Sequence, residues 1–141
     1  MATTFNKYNQ FVSDLAAGVH NFTSDATSTI TVALSNTAGD ASAAKTILSG
    51  IAQISYTNLS ARVVTGVTCT QTSGTMHLTA SDLVLTASGA VATFQYVILY
   101  NDDPSSPVDP LIGWYDYGAP VTLANAETFT IDFATDILTI A

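Results

Sequence analysis

The stretch from Val91 to Gly118 constrains the fold most, because it holds two runs that are apolar on both faces of an extended chain. In the first run, one face carries Phe94, Tyr96, Ile98 and Tyr100, and the other carries Val91, Val97 and Leu99. In the second run, one face carries Leu111, Tyr115 and Tyr117, and the other carries Ile112 and Trp114. A strand that is apolar on both faces is covered on both. We therefore expect this pair in the middle of a sandwich or beneath a partner subunit.

Most of the remaining chain alternates in short segments separated by turns rich in glycine, asparagine, aspartate and serine. A half-buried strand is predicted at 27–34, with Ile30, Val32 and Leu34 inward and Thr29, Thr31 and Ala33 outward. Further strands are expected at 61–72, 76–80, 83–86, 121–123, 127–133 and 137–141, the last of them paired with its hairpin neighbour. The pattern predicts an all-β fold, an antiparallel β-sandwich of about eight strands with a jelly-roll or immunoglobulin-like arrangement. At 141 residues we expect one domain, 1–141, with its strands at 27–141.

One helix is expected, at the N-terminal end of the chain, over residues 5–17. Apolar side chains recur there at spacings of three and four, which places them on one helical stripe: Phe5, Tyr8, Val12, Leu15, Val19 and Phe22. Thr4 is the expected N-cap, and Gly18 is expected to end the helix after Ala17. Two interpretations stay open, a lid over the end of the sandwich and an arm that docks on a neighbour.

The charge balance excludes two classes of partner. Three basic residues stand against eleven acidic ones, for a formal net charge of -8. Nucleic acid and anionic membranes are bound through lysine and arginine, so we expect neither as a partner. Only 10% of residues are charged, against about 25% in ordinary soluble domains. The surface is therefore expected to be rich in threonine, serine and asparagine and suited to packing against other proteins.

The start of the chain, Met1–Lys7, lacks the basic segment and apolar core of a secretory signal. No apolar run approaches the roughly 20 residues of a membrane span. We therefore expect a soluble protein that is made in a cytoplasm.

The sequence predicts no metal ion and no cofactor. His20 has no second ligand three or four residues away, and His77 is expected to be a solvated strand residue without a catalytic role. The acidic loop at 101–110 offers Asp102, Asp103 and Asp109 as oxygen ligands for Ca²⁺. It lacks the fixed ligand spacing with glycine of a calcium loop, so a solvated loop is favoured. A calorimetric titration with Ca²⁺ distinguishes the two.

The sequence also predicts no catalytic residue. Cys69 lies in a segment rich in valine and threonine, with no cation nearby in sequence to activate it, so a buried thiol is favoured. Asp116 stands among Trp114, Tyr115 and Tyr117, where it would serve either a sugar-binding groove or a hydrogen bond at the sheet rim. The rim is favoured, because aromatic side chains in a core strand are ordinary. A glycan-cleaving enzyme would require Asp116.

Two parts of the chain together resemble a known group of proteins: residues 5–22, and residues 111–118 with 127–133. They resemble the small acidic β-proteins encoded among the virion structural genes of tailed bacteriophages, and most of all the capsid decoration (cement) proteins. The resemblance implies a β-sandwich that oligomerises on the outer shell and clamps adjacent capsid subunits without catalysis. The expected partner is the major capsid protein, the expected assembly a homo-oligomer, first of all a trimer, and the expected location the virion.

The side chains expected at the protein interface form two groups. They are Phe5, Tyr8 and Phe11 of the N-terminal stripe and Trp114, Tyr115 and Tyr117 of the aromatic rim. The alternative function is a tail or head-fibre module that binds host-surface glycans. In that case Trp114 and the tyrosines would form a platform on which sugars stack.

Overall fold

The fold is mostly β-structure, with strands that pair antiparallel throughout. A computed structural model describes residues 3–23 and 29–141, and in these residues it has nine strands and one α-helix. The strands are β1 (Phe5–Lys7), β2 (Ile30–Ser35), β3 (Thr68–Thr72), β4 (Thr75–Thr79), β5 (Leu83–Thr86), β6 (Phe94–Asn101), β7 (Leu111–Val121), β8 (Thr128–Ile131) and β9 (Leu138–Ile140). The helix α1 spans Asn9–Ala16, and single 3₁₀ turns lie at Ala38–Asp40 and Leu48–Gly50. The predicted all-β class is confirmed.

The central sheet is built on the β6–β7 hairpin that the two apolar runs predict. Its strand order is β1-β7-β6-β2, and Ile98 lies opposite Trp114 in the hairpin. One face of this sheet contributes to the main core together with side chains from a three-stranded sheet, β3-β4-β9, and a two-stranded sheet, β5-β8. The last strand, β9, pairs with β4 instead of its hairpin neighbour β8, and Leu138 lies opposite Leu78. That part of the prediction is therefore wrong.

The second face of the central sheet is covered by the chain itself. A second cluster packs Ala33, Tyr96, Ile98, Tyr100, Leu111 and Trp114 against Tyr8, Leu48 and Ile51. The segment after β2, which contains both 3₁₀ turns, contributes Leu48 and Ile51 to this cover. The two-faced apolar pattern of β6 and β7 is therefore satisfied within one chain.

Strand β2 is buried on both faces, which corrects the prediction of a half-buried strand at 27–34. Thr31 and Ala33 were expected outward, but Thr31 is 4% exposed and Ala33 is fully buried. Ala33 is buried because the second cluster, with Tyr8, Leu48 and Ile51, covers this face of the sheet. Thr27 and Ser28, the first residues of the predicted strand, lie outside the described residues. Further along, 61–72 forms a strand only from Thr68 onward.

The N-terminal segment begins as a strand and not as the predicted helix over 5–17. Phe5 lies opposite Tyr115 and Lys7 lies opposite Gly113. The helix then starts at Asn9, so its N-cap is Tyr8 and not Thr4. Residues 5–7 pair with β7 and do not join the helix, because Gly113 has no side chain and so leaves room for the Phe5 ring above the backbone of β7.

The predicted end of the helix is confirmed by its hydrogen bonds. Gly18 adopts φ +76, and its N–H donates to Leu15 O at 3.2 Å while Val19 N–H donates to Asp14 O at 2.9 Å. This pair of bonds is the glycine-dependent helix end known as the Schellman motif. No helix in the described part of the chain is long and apolar enough to cross a membrane.

A buried polar cluster lies beyond the end of α1. His20 and Asp14 are each 5% exposed, and Asn101 is fully buried. The His20 ring stacks on Phe22 at 5.4 Å, and its Nδ1 lies 3.2 Å from Asn101 Nδ2. Burial lowers the pKa of His20 to about 4, although the Asp14 carboxylate opposes the shift.

This cluster makes the stability of the fold depend on pH. Since the pKa of His20 is 6.5 unfolded and about 4 folded, the unfolded chain binds the proton first as the pH falls. The stability that the neutral, buried His20 ring allows is therefore fully present above pH 6.5, and it is lost as the pH falls toward 4. We expect this loss to be about 3 kcal/mol. Urea unfolding of the wild type and of His20→Gln at several pH values checks this, and parallel pH profiles would contradict it.

Candidate functional site

Most of the predicted contact residues belong to the core. Tyr8 and Phe11 are fully buried, while Trp114 is 8% and Tyr115 is 4% exposed. Tyr8, Phe11 and Trp114 therefore belong to the core, which corrects their assignment to an interface, whereas Tyr115 is buried but lines a cavity beside Phe5. Tyr117 is exposed, and its ring lies 5.4 Å from that of Phe129. Phe5 is half-buried.

The sugar-stacking platform of the alternative function would lack Trp114, which is buried, and would keep the exposed Tyr117. Trp114 packs its ring on Tyr8, with centroids 4.7 Å apart, inside the second cluster. Asp116 is exposed, accepts a hydrogen bond from Gln95 Nε2 at 2.8 Å and accepts another from Gly118 N–H at 2.8 Å. This is the favoured role of Asp116, a hydrogen bond at the sheet rim.

A threonine-rich surface lies on the outer face of the three-stranded sheet. The inner face of this sheet packs Cys69, Met76, Leu78, Leu138 and Ile140 against the main core. Because side chains alternate along a strand, the outer face carries Thr68, Thr70, Thr72, Thr75, Thr79 and Thr139 around His77. We call these seven side chains the threonine face. None of the six threonines is charged.

The pairing register orders the threonine face. Thr70 and Thr139 lie opposite His77 on its two sides, and Thr68 Oγ1 lies 2.6 Å from Thr79 Oγ1. Methyl and hydroxyl groups thus stand in rows at the spacing of strands, about 4.8 Å apart. Such a surface offers both apolar contact and hydrogen bonds to a flat partner.

An imidazole–carboxylate pair lies at the edge of this face. His77 Nδ1 is 3.2 Å from each oxygen of Asp136, which precedes β9. No local sequence pattern predicts this pair, because the two residues are 59 positions apart. His77 lines neither of the cavities described below, so we interpret the pair as a clamp between β4 and the segment that leads into β9.

A groove runs beside the threonine face, between the end strands β1 and β9. It consists of two cavities of about 170 and 290 Å³, both lined by Phe5 and Ile137. The smaller cavity is also lined by Thr3, Tyr115, Asp132, Phe133, Ala134 and Asp136. Burial raises the pKa of Tyr115 well above its usual range, and the Asp132 carboxylate adds to the shift. The groove therefore combines aromatic walls with acidic groups.

The remaining candidates for chemistry lie elsewhere. In the acidic loop, Asp103 Oδ2 accepts a hydrogen bond from Thr29 N–H. Burial raises the pKa of Asp109, and Asp102 adds to the shift through its charge and a hydrogen bond.

Within residues 3–23 and 29–141, no group of three histidine, cysteine or acidic residues is placed to hold a metal ion. Burial also raises the pKa of the half-buried Cys69 thiol, which keeps it protonated at neutral pH.

Comparisons of the chain with protein-family models, with curated proteins and with solved structures gave no match.

Proposed function

We propose that the chain is a decoration protein of a bacteriophage capsid, which binds the assembled shell and stabilises it without catalysis. The observation that carries the proposal is the threonine face, an ordered outer surface of six threonines and one histidine. The partner is the major capsid protein, and the protein acts in the virion as a homo-oligomer. A trimer fits best, because closed oligomers match the local symmetry of a shell.

The physics of docking favours an uncharged surface of this kind. Lysine and glutamate are depleted at protein interfaces, since their desolvation costs free energy that pairing has to offset. Threonine has little side-chain entropy to lose, and a strand already fixes its position. A protein that binds only the assembled lattice then stabilises that lattice by mass action.

The basic residues support the same conclusion, because two of the three are engaged within the chain. Lys45 pairs with Asp40 at 3.3 Å, and Arg62 lies 3.6 Å above the Tyr56 ring. Lys7 is exposed on β1. The surface therefore offers little positive charge to nucleic acid or to anionic lipid.

A charge placed on the threonine face should weaken capsid binding. We expect Thr70→Lys to weaken co-sedimentation with undecorated capsids by at least about tenfold, since an ammonium group would be desolvated at the centre of the contact. The measurement is the bound fraction as a function of protein concentration.

The matched control is Thr128→Lys, at an exposed position on β8 outside the threonine face. It adds the same charge and should leave binding within about twofold. If wild-type protein fails to sediment with capsids, or if both variants bind alike, the proposal is wrong.

A further inference from the structure

We infer that the smaller cavity of the groove is a binding site for one cationic side chain, a lysine or an arginine, of a protein partner. The site is distinct from the threonine face, which offers no carboxylate. The inference rests on the proposed function only for the partner's identity, because the cavity's chemistry stands on its own residues.

Aromatic rings form the walls of this cavity. Phe5 meets Tyr115 edge to face at 5.3 Å, and Tyr115 lies 6.4 Å from Phe133. Ring faces attract ammonium and guanidinium groups through their quadrupole, most strongly where water is excluded. The alkyl stem of a lysine or arginine also packs well against such walls. Of the three rings, the half-buried Phe5 offers the most surface to such a side chain, because Tyr115 and Phe133 are only 4% and 2% exposed.

Two carboxylates give the cavity its charge. Asp132 is exposed and accepts a hydrogen bond from Ala134 N–H at 2.7 Å, within its own turn. Asp136 Oδ2 lies 3.2 Å from His77 Nδ1. Both residues line the cavity, and charge-assisted hydrogen bonds to carboxylates are about twice as strong as neutral ones. A cation is therefore the favoured occupant.

An unsatisfied polar atom lies in the same wall. Thr3 lines the cavity, and its Oγ1 is buried with no hydrogen-bond partner in the described part of the chain. A buried hydroxyl without a partner costs free energy, and a change of the Thr3 rotamer would let its Oγ1 accept a hydrogen bond from an ammonium or guanidinium group in the cavity. A volume of about 170 Å³ also lies below the roughly 300 Å³ at which pockets for small molecules begin. Its size suits one side chain.

The other end of the groove has the opposite charge. Lys7 lines the larger cavity, two residues along β1 from Phe5. Lys7 is absent from the lining of the smaller cavity. The groove is therefore acidic at one end and carries Lys7 at the other.

The test is a titration of the full chain with N-acetyl-lysinamide and N-acetyl-argininamide, followed by ¹H–¹⁵N chemical shifts. We expect saturable shifts at the backbone amides of Phe5, Ala134 and Ile137. N-acetyl-norleucinamide, which has a chain of similar length without the charge, should give no saturable shifts. Equal shifts with the neutral compound, or no shifts with either cation, would overturn the inference.

Two matched variants distinguish binding in the cavity from nonspecific attraction of a cation to the negatively charged protein. Asp132→Asn keeps the acceptor for Ala134 N–H, and Asp116→Asn keeps the equivalent acceptor for Gly118 N–H. We expect Asp132→Asn to weaken lysinamide binding by about tenfold and Asp116→Asn to leave it unchanged. Equal weakening by both would overturn the inference. Binding of lysinamide by a protein that does not sediment with capsids would support the site and count against the proposed partner.

Discussion

Trp114→Ala is expected to lower the free energy of unfolding by about 3–5 kcal/mol, the usual cost of removing a large buried aromatic side chain. Trp114 is 8% exposed and packs on Tyr8 in the cluster that covers the second face of the central sheet. Its removal leaves a cavity between the sheet and the segment that covers it. Urea unfolding followed by far-ultraviolet circular dichroism measures the change.

This experiment also decides between a core and an interface role for Trp114. An interface residue would leave the isolated protein as stable as the wild type and would affect only binding. Tyr117→Ala is the control, because Tyr117 is 44% exposed on the same strand, and we expect it to cost less than about 1 kcal/mol. If Trp114→Ala costs no more than Tyr117→Ala, the assignment of Trp114 to the core is wrong.

Gly113→Ala is expected to lower the free energy of unfolding by about 2–3 kcal/mol through overpacking. A Cβ at this position would overlap the Phe5 ring and lie 2.5 Å from Asn6 O. Since Asn6 O is backbone, the strand β1 has to move away from β7 to relieve the overlap. Unfolding in urea gives the loss, and the backbone amide shifts of 5–7 report whether β1 has detached.

Two further variants identify the cause. Gly39→Ala places a Cβ where nothing lies within 4 Å, so it should change stability by less than about 0.5 kcal/mol. In a Phe5→Ala background, Gly113→Ala should cost less than in the wild type, because one of the two obstacles is gone. An equal cost in both backgrounds would show that the Phe5 ring is not the obstacle.

Local sequence patterns correctly predicted those elements that depend on residues close together in the chain. The β6–β7 pair was predicted from two apolar runs, and Leu83–Thr86 and the turn at Gly74 follow from alternation and turn residues. The end of α1 follows from the left-handed conformation that Gly18 adopts without strain. Each of these depends on residues close together in the chain, which periodicity and turn chemistry can detect.

The errors arise where a distant segment decides the outcome. Phe5 fits a helical stripe, but its place opposite Tyr115 depends on a glycine more than one hundred residues away. Thr31 alternates as an outward residue, but a later segment covers it. The His77–Asp136 pair likewise joins residues 59 positions apart, and the acidic, aromatic groove joins residues from both ends of the chain. No local pattern contains that information.

The amino-acid sequence by itself determined the all-β class and the central strand pair, together with the fact that both faces of this pair are covered. Only the tertiary structure decided that Tyr8, Leu48 and Ile51 of the same chain cover the second face, where a partner subunit was the other possibility. The physical reason is that alternation records whether a side chain is removed from water, whereas the identity of the covering group depends on which distant surfaces fit together. That choice also placed Tyr8, Phe11 and Trp114 in the core, so the candidate binding surfaces are the threonine face and the groove beside it, which keeps Phe5 and Tyr115 in its lining.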